Sequence, residues 1–267
     1  MAANPSTTAV RFISPPEAVP AGGLRLVRFT RQGAERLVRI GIIPEDATTE
    51  LLNGLIVLTD RSARDENPTG RGYGPVPFTV KDTLLMVEQG ILPEDSAIEL
   101  LDGSLVYCDR GVRSGGELVE GLDHNYVLSS LADLAARINN ESRHLRTQST
   151  LICSETHAPI PDAVVLRGSR TKYRDHMPTA AEALSVIEVA DSSYERDAGE
   201  KLAGYARAGI VQYIIINLRN RAAEVYANPD SVAGSYPPPQ IIAADGTESL
   251  RIGESEMFSL TLRDVLP

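Results

Sequence analysis

The chain contains no tryptophan and only two cysteines. Cys108 and Cys153 each sit in an apolar run without a CxxC partner, which excludes a zinc-ribbon site and a disulfide framework. Both read as buried free thiols. No apolar run approaches the roughly 20 residues that a membrane-spanning helix requires. The start, Met1-Ala2-Ala3-Asn4-Pro5, has no basic segment ahead of an apolar one, so no secretory leader is expected and the cytoplasm is the default location. Neither a Walker-type phosphate loop nor a Gly-x-Gly-x-x-Gly turn is present, which argues against nucleotide-cofactor chemistry. Ser192-Ser193 lacks the flanking glycines of a nucleophile elbow, so a serine-hydrolase triad is not expected. His144, His157 and His176 share no ligand-like spacing.

Positive charge is also scarce. The 26 basic side chains are outnumbered by 36 acidic ones, for a formal charge of −10. Residues 1–120 carry 12 basic and 17 acidic groups and residues 121–267 carry 14 and 19, so each half is −5 and neither is a basic domain. Tight, non-specific binding to duplex nucleic acid wants clustered Lys and Arg. One short cluster exists, Arg167, Arg170, Lys172 and Arg174, which reads either as a solvated loop or as a phosphate contact. What the chain does have is an ordinary globular composition, 42% hydrophobic and 23% charged, with enough apolar surface for a core.

Residues 1–25, rich in Pro, Ala, Gly, Ser and Thr, suggest a poorly ordered arm. An internal repeat follows. Residues 29–61 align without gaps on residues 78–110 at an offset of 49, sharing Gly41/Gly90, Pro44-Glu45-Asp46/Pro93-Glu94-Asp95, Glu50-Leu51-Leu52/Glu99-Leu100-Leu101 and Asp60-Arg61/Asp109-Arg110. Each copy predicts a helix capped by Thr30 or Thr79 and stopped at Gly41 or Gly90, then a hairpin turning at Asn53-Gly54 or Asp102-Gly103. The expected organisation is an arm over 1–25, a first helix-hairpin copy and linker over 26–77, and a main domain over 78–267.

Beyond the Ser114-Gly115-Gly116 break, 122–138 predicts an amphipathic helix with Asp123 as candidate N-cap and His124 in its first turn. Strands are expected over 144–154, 162–166, 184–189, 212–217 and 222–226, with a helix over 195–208 ended by Gly209. This order implies an α/β fold with a mixed central sheet flanked by helices.

The chemistry concentrates between Pro161 and Asn217. Glu188 interrupts the apolar run Leu184 to Val189, and a carboxylate there is costly to bury unless paired or metal-bound. Asp162 opens the neighbouring run, so two carboxylates can converge at one end of a sheet. Asp197, Lys201 and Tyr205 follow at spacings of four along one helix stripe. Hard oxygen donors suit Mg²⁺ or Mn²⁺ better than zinc. The plain alternative is structural, with Glu188 and Lys201 as a buried ion pair and Asp162 as a turn cap.

The string Pro161-Asp162 … Val186-Ile187-Glu188-Val189 … Ser192 … Asp197-Ala198-Gly199-Glu200-Lys201-Leu202-Ala203-Gly204-Tyr205 … Tyr213-Ile214-Ile215-Ile216 resembles the Uma-two family of restriction-endonuclease-like proteins, within the PD-(D/E)xK nuclease superfamily. The likeness extends upstream to Gln148, to His124 and to Phe78-Thr79-Val80 … Glu99-Leu100-Leu101-Asp102-Gly103, covering about 78–267. The resemblance implies a restriction-endonuclease-like core and a metal-dependent endonuclease acting on DNA. Asp162 and Glu188 would be the ligands of Mg²⁺ (or Mn²⁺) and Lys201 the catalytic lysine, displaced onto the helix because Ala190 stands in its usual strand position. His124, Gln148, Tyr205 and Asp197 would lie behind the ligands or on the substrate side. Two departures stand out: Ala190-Asp191-Ser192-Ser193 replaces the family's usual Leu-Ser-Pro-Ser, and Asn217 stands where an Asp is common. The rival expectation is a catalytically quiet module with this fold that binds DNA or protein. A homodimer would suit double-strand cleavage.

Overall fold

A computed structural model describes residues 12–14, 24–59, 73–94, 96–108, 113–114, 117–118, 121–246, 249–252 and 258–267. Most of the expected arm, residues 62–72 of the linker, the Asp-Arg pairs at 60–61 and 109–110 and the Gly115-Gly116 break lie outside the described residues.

Helix α1 (Arg31–Arg39) starts at Thr30, whose hydroxyl accepts from the Gly33 amide. Gly41 then adopts φ +78°, a conformation that favours glycine and ends the helix. Strands β1 (Thr49–Leu52) and β2 (Leu55–Thr59) form an antiparallel hairpin, and β3 (Tyr73–Pro75) pairs with β2. At the turn, Asn53 and Gly54 take φ of 49° and 79°, the paired positive values that match strand twist. Helix α2 (Val80–Glu88) is capped reciprocally by Thr79 and Asp82. It leads through Gly90 (φ +66°) to β4 (Ile98–Leu101) and β5 (Ser104–Tyr107), which turn at Asp102 (φ 46°) and Gly103 (φ 80°). Phe29, Leu37 and Ile56 share one apolar cluster with Phe78, Met86, Ile98, Leu100 and Leu105. Short strands β6 (Arg113–Ser114) and β7 (Glu117–Leu118) pair with each other.

Helix α3 (Leu122–Ile138) has the expected span, but its N-cap is Gly121, without a side-chain cap bond; Asp123 lies in the first turn. Strand β8 (Arg143–Thr147) is shorter than expected, because Gln148 at φ +48° leaves the extended region. Strands β9 (Ala163–Arg167) and β10 (Ala183–Ala190) follow. The next helical run comprises α4 (Tyr194–Arg196), a π turn (Asp197–Lys201) and α5 (Leu202–Arg207). It returns the chain to β11 (Gln212–Asn217), β12 (Ala222–Ala227) and β13 (Gln240–Ala243). The last pair, β14 (Ser249–Ile252) with β15 (Phe258–Thr261), is antiparallel.

The central sheet has six strands in the order β13-β12-β11-β10-β9-β8. Only β10 and β11 are parallel, and the helical run supplies the crossover that parallel neighbours need. Alternation sends Ile187 and Val189 to one face, with Val127 and Leu131 of α3, Leu250 and Leu262. Val186, Val164, Tyr213 and Ile215 face the other way, under Tyr205 of α5. The sheet is thus mixed and covered on both faces, the α/β architecture expected. Among the described residues no helix is long and apolar enough to cross a membrane.

Candidate active site

Glu188 projects from β10 toward the helical run, opposite in direction to Ile187 and Val189, and is buried. Asp162 immediately precedes β9, the antiparallel neighbour of β10. The two carboxylates meet: the Asp162 amide donates to Glu188 Oε2 at 3.3 Å, and the Val189 amide donates to Asp162 Oδ2 at 2.8 Å. His124, in the first turn of α3, brings Nε2 to 3.3 Å from the same Asp162 oxygen. The Gln148 amide donates to Asp162 O at 3.1 Å, and Gln148 itself is exposed.

Lys201 enters from the other side. A π turn carries one more residue per turn than an α-helix, and such turns are frequent at functional sites. Here it ends on Lys201, whose Nζ lies 2.7 Å from Glu99 Oε1, 3.0 Å from Glu188 Oε1 and 3.9 Å from Asp197 Oδ1. Tyr205, one turn later, donates its hydroxyl to Glu188 Oε1 at 2.9 Å. Ser193 donates to Asp197 Oδ2 at 2.6 Å, and Tyr213 donates to the Asp197 carbonyl at 2.9 Å. The structure therefore brings Asp162, Glu188, Lys201, Asp197, Tyr205 and His124 into one connected cluster, with Gln148 at its edge.

Sequence reasoning assigned no role to Glu99. Its signal was present: a carboxylate in the apolar run Ile98-Glu99-Leu100-Leu101, the same anomaly that singled out Glu188. Glu99 is buried on β4, accepts from the Ile160 amide at 2.8 Å, and ties the β4–β5 hairpin to the central sheet through Lys201 and Glu188.

Negative charge is in excess. Burial pushes the Glu188 carboxyl up to about 8; the Lys201 ammonium opposes this, while Asp197, Asp162 and Glu99 add to it. Burial likewise lifts Asp197 to about 6 against the pull of Lys201 and Arg196. Burial also disfavours the ionised form of Glu99, but Lys201 and then Arg196 outweigh it and hold that carboxyl below its usual value. Lys201 stays protonated, because the attraction of Glu188, Glu99 and Asp197 exceeds its own desolvation.

Among the described residues no group of three or more His, Cys, Asp or Glu side chains is arranged to hold a metal ion. A pair of carboxylates is nevertheless the donor set that Mg²⁺ commonly takes from a protein, with waters and substrate phosphate completing its shell. Two observations fit a cation here. Glu99 Oε2 is buried without a hydrogen-bond partner, and Asp197 Oδ1 has none beyond distant cations at 3.8 and 3.9 Å. The cysteines take no part: Cys108 and Cys153 are free thiols, and burial pushes Cys153 up to about 12.

A mixed sheet with a carboxylate pair at one strand end and a lysine on the crossover helix defines a protein of the nuclease-like α/β class. The Uma2 family model, described as "Putative restriction endonuclease", matches residues 88–263, and the chain belongs to that family. Among solved structures, it is similar to "a putative nuclease belonging to DUF820" from Anabaena variabilis, at 15% identity and a TM-score of 0.52, over 71% of this chain and 97% of that one. At that identity the likeness concerns the fold. No curated protein gives a significant match.

Proposed function

We propose that the protein is a divalent-metal-dependent endonuclease that hydrolyses DNA phosphodiester bonds, with Asp162 and Glu188 holding Mg²⁺ or Mn²⁺ and Lys201 as the catalytic lysine. The observation that carries this reading is the buried excess of carboxylates, Asp162, Glu188, Asp197 and Glu99, around Lys201 at one strand end, with the exposed Gln148 next to Asp162. Family membership supports the same reaction class. When bound, the cation supplies Lewis acidity at a phosphoryl oxygen and lowers the pKa of its water. The chain's own residues set the stage for that chemistry. The Val189 amide and His124 fix the Asp162 carboxylate. Tyr205 and Lys201 both donate to Glu188 Oε1 and fix that carboxyl. Asp162 and Glu188 would hold the cation, and the Lys201 ammonium beside Glu188 would stabilise charge gathering on the phosphoryl group and orient the attacking water.

A second reading is favoured by one feature. Lys201 is already satisfied by Glu99 and Glu188, which is how a structural ion-pair network in a catalytically inactive binding module would look. Calorimetric titration of Mn²⁺ into the wild type and Glu188→Gln, paired with a plasmid-nicking assay, separates the two. Saturable binding and cleavage, both lost in the variant, support the enzyme. Absence of binding and cleavage in the wild type, with a destabilised variant, leaves the structural network.

A further inference from the structure

The basic cluster that the sequence isolates is not used by the carboxylate site, yet the fold carries it to the same face of the sheet. Strand β8 is the last strand of the central sheet, and among the described residues its outer edge has no partner strand. Within it, Arg146 stands opposite Val164 of β9, and Val164 stands opposite Val186 of β10. Val186 and Glu188 are two apart on one strand and share a face, so Arg146 and Glu188 share it too. Arg146 is two residues before Gln148, which lies just past the end of β8 and whose amide donates to Asp162 O.

The rest of the cluster lies beside Arg146. Tyr173 packs in one cluster with Val164 and Leu166 on this face and meets His144 of β8 in a tilted ring contact, 5.0 Å between ring centres. It is the end of the short 3-10 helix Arg170–Tyr173, so Arg170 and Arg174 flank it, and both are exposed. Segments 143–147 and 167–174 together hold six Arg and Lys and no acidic residue. Not all six are available. Lys172 is tied to Glu182 at 2.9 Å, and Arg143 and Arg167, opposite each other on β8 and β9, project to the other face with Leu145 and Val165. Arg146, Arg170 and Arg174, by contrast, make no ion pair or side-chain hydrogen bond among the described residues. Glu141 and Asp175 are the nearest acids in the chain. Three arginines without acidic partners are anomalous in a chain of charge −10.

We infer that the outer edge of the central sheet, from Arg146 on β8 to Arg170 and Arg174 beyond β9, holds the phosphodiester backbone of DNA on one side of the carboxylate site. The inference rests on the nuclease reading, and deepens it by giving the substrate a direction across the molecule. It also answers an electrostatic difficulty: a strongly acidic protein with a carboxylate site must attract a polyanion somewhere, and contacts of this kind add a salt-dependent term for every phosphate neutralised.

The test is fluorescence anisotropy with a short fluorescein-labelled DNA duplex, in EDTA, across a salt series. Three proteins are compared: wild type, Arg146→Ala/Arg170→Ala/Arg174→Ala, and Arg31→Ala/Arg39→Ala/Arg263→Ala, which removes equal charge elsewhere. The slope of log affinity against log salt should fall by about 2.7 in the first variant and stay near wild type in the second. Replacement of the same three residues by Lys should keep most of the slope, which guards against a folding artefact. In Mn²⁺, the first variant should raise KM for plasmid cleavage with kcat unchanged. Equal slopes in all proteins, or no duplex binding by the wild type, overturn the inference. Loss of binding in the arginine variant without metal-dependent cleavage by the wild type keeps the track and removes the nuclease reading. Glu188-dependent cleavage with an unchanged slope does the reverse.

Discussion

A β-carbon placed on Gly204 would lie 2.0 Å from Nε2 of His157, so the imidazole rests directly on the backbone of α5. Gly204→Ala should therefore cost about 1–3 kcal/mol by overpacking, read from urea unfolding, and should disturb Lys201 and Tyr205 on either side. His157 is buried, and its Nδ1 meets Asp102 Oδ1 at 3.0 Å while Arg207 reaches both Asp102 oxygens at 2.8 and 2.7 Å. Burial lowers the imidazole pKa below 6.5, against the opposing pull of Asp102. The native state thus keeps His157 neutral where the unfolded chain already takes up a proton. Its contribution to stability is complete above about pH 6.5 and is lost as pH falls through the depressed native value. Relative to His157→Gln, the wild type should lose stability as pH falls below about 6.5, read as the difference in urea midpoints; an equal pH dependence in the two proteins would show that the imidazole does not couple to folding.

Elements differ in how legibly the chain writes them. Helix α3 and strands β9 to β12 follow apolar patterns that local sequence carries, and both hairpin turns are encoded in Asn-Gly and Asp-Gly. The carboxylate pair was visible because an acid in an apolar strand is expensive and therefore rare. Glu99 carries the same mark, but its partner Lys201 is 102 residues away in sequence, a pairing only the folded chain creates. The π turn at Asp197–Lys201 was hidden for another reason: spacings of four suit an α-helix equally well, and the extra residue changes no hydrophobic period. The short β8 escaped because Gln148 carries no turn signature, although its φ of +48° ends the strand. Asp123 suits a cap by residue type, yet the chain enters α3 two residues earlier, at Gly121.

At the scale of the molecule, the aligned segments bear on how the chain divides. Residues 25–27 run along β5, with the Val27 amide donating to Leu105 O and the Tyr107 amide donating to Arg25 O. Phe29 and Phe78 touch at 5.6 Å between ring centres, in a cluster drawn from both sides of residue 77. Fragment 78–267 is therefore expected to melt at a lower temperature than the full chain, since Phe78, Ile98, Leu100 and Leu105 lose their cover. Equal melting temperatures would mark 26–77 as a separable unit. Because Glu99 sits on β4 in this same region, loosening the N-terminal part should also free Lys201, so metal affinity of the fragment reports on both.

The central sheet has two borders, and neither is left bare. Strand β8 carries Arg143 and Arg146 along its rim, while β13 is preceded by Pro237, Pro238 and Pro239 and is only four residues long. Charge at one margin and proline at the other are the devices by which sheets refuse to grow into fibrils. The arginine that draws a polyanion thus also keeps neighbouring copies from stacking strand to strand, and its removal carries a colloidal consequence: concentrated solutions of Arg146→Ala should turn cloudy, on standing, before those of the wild type.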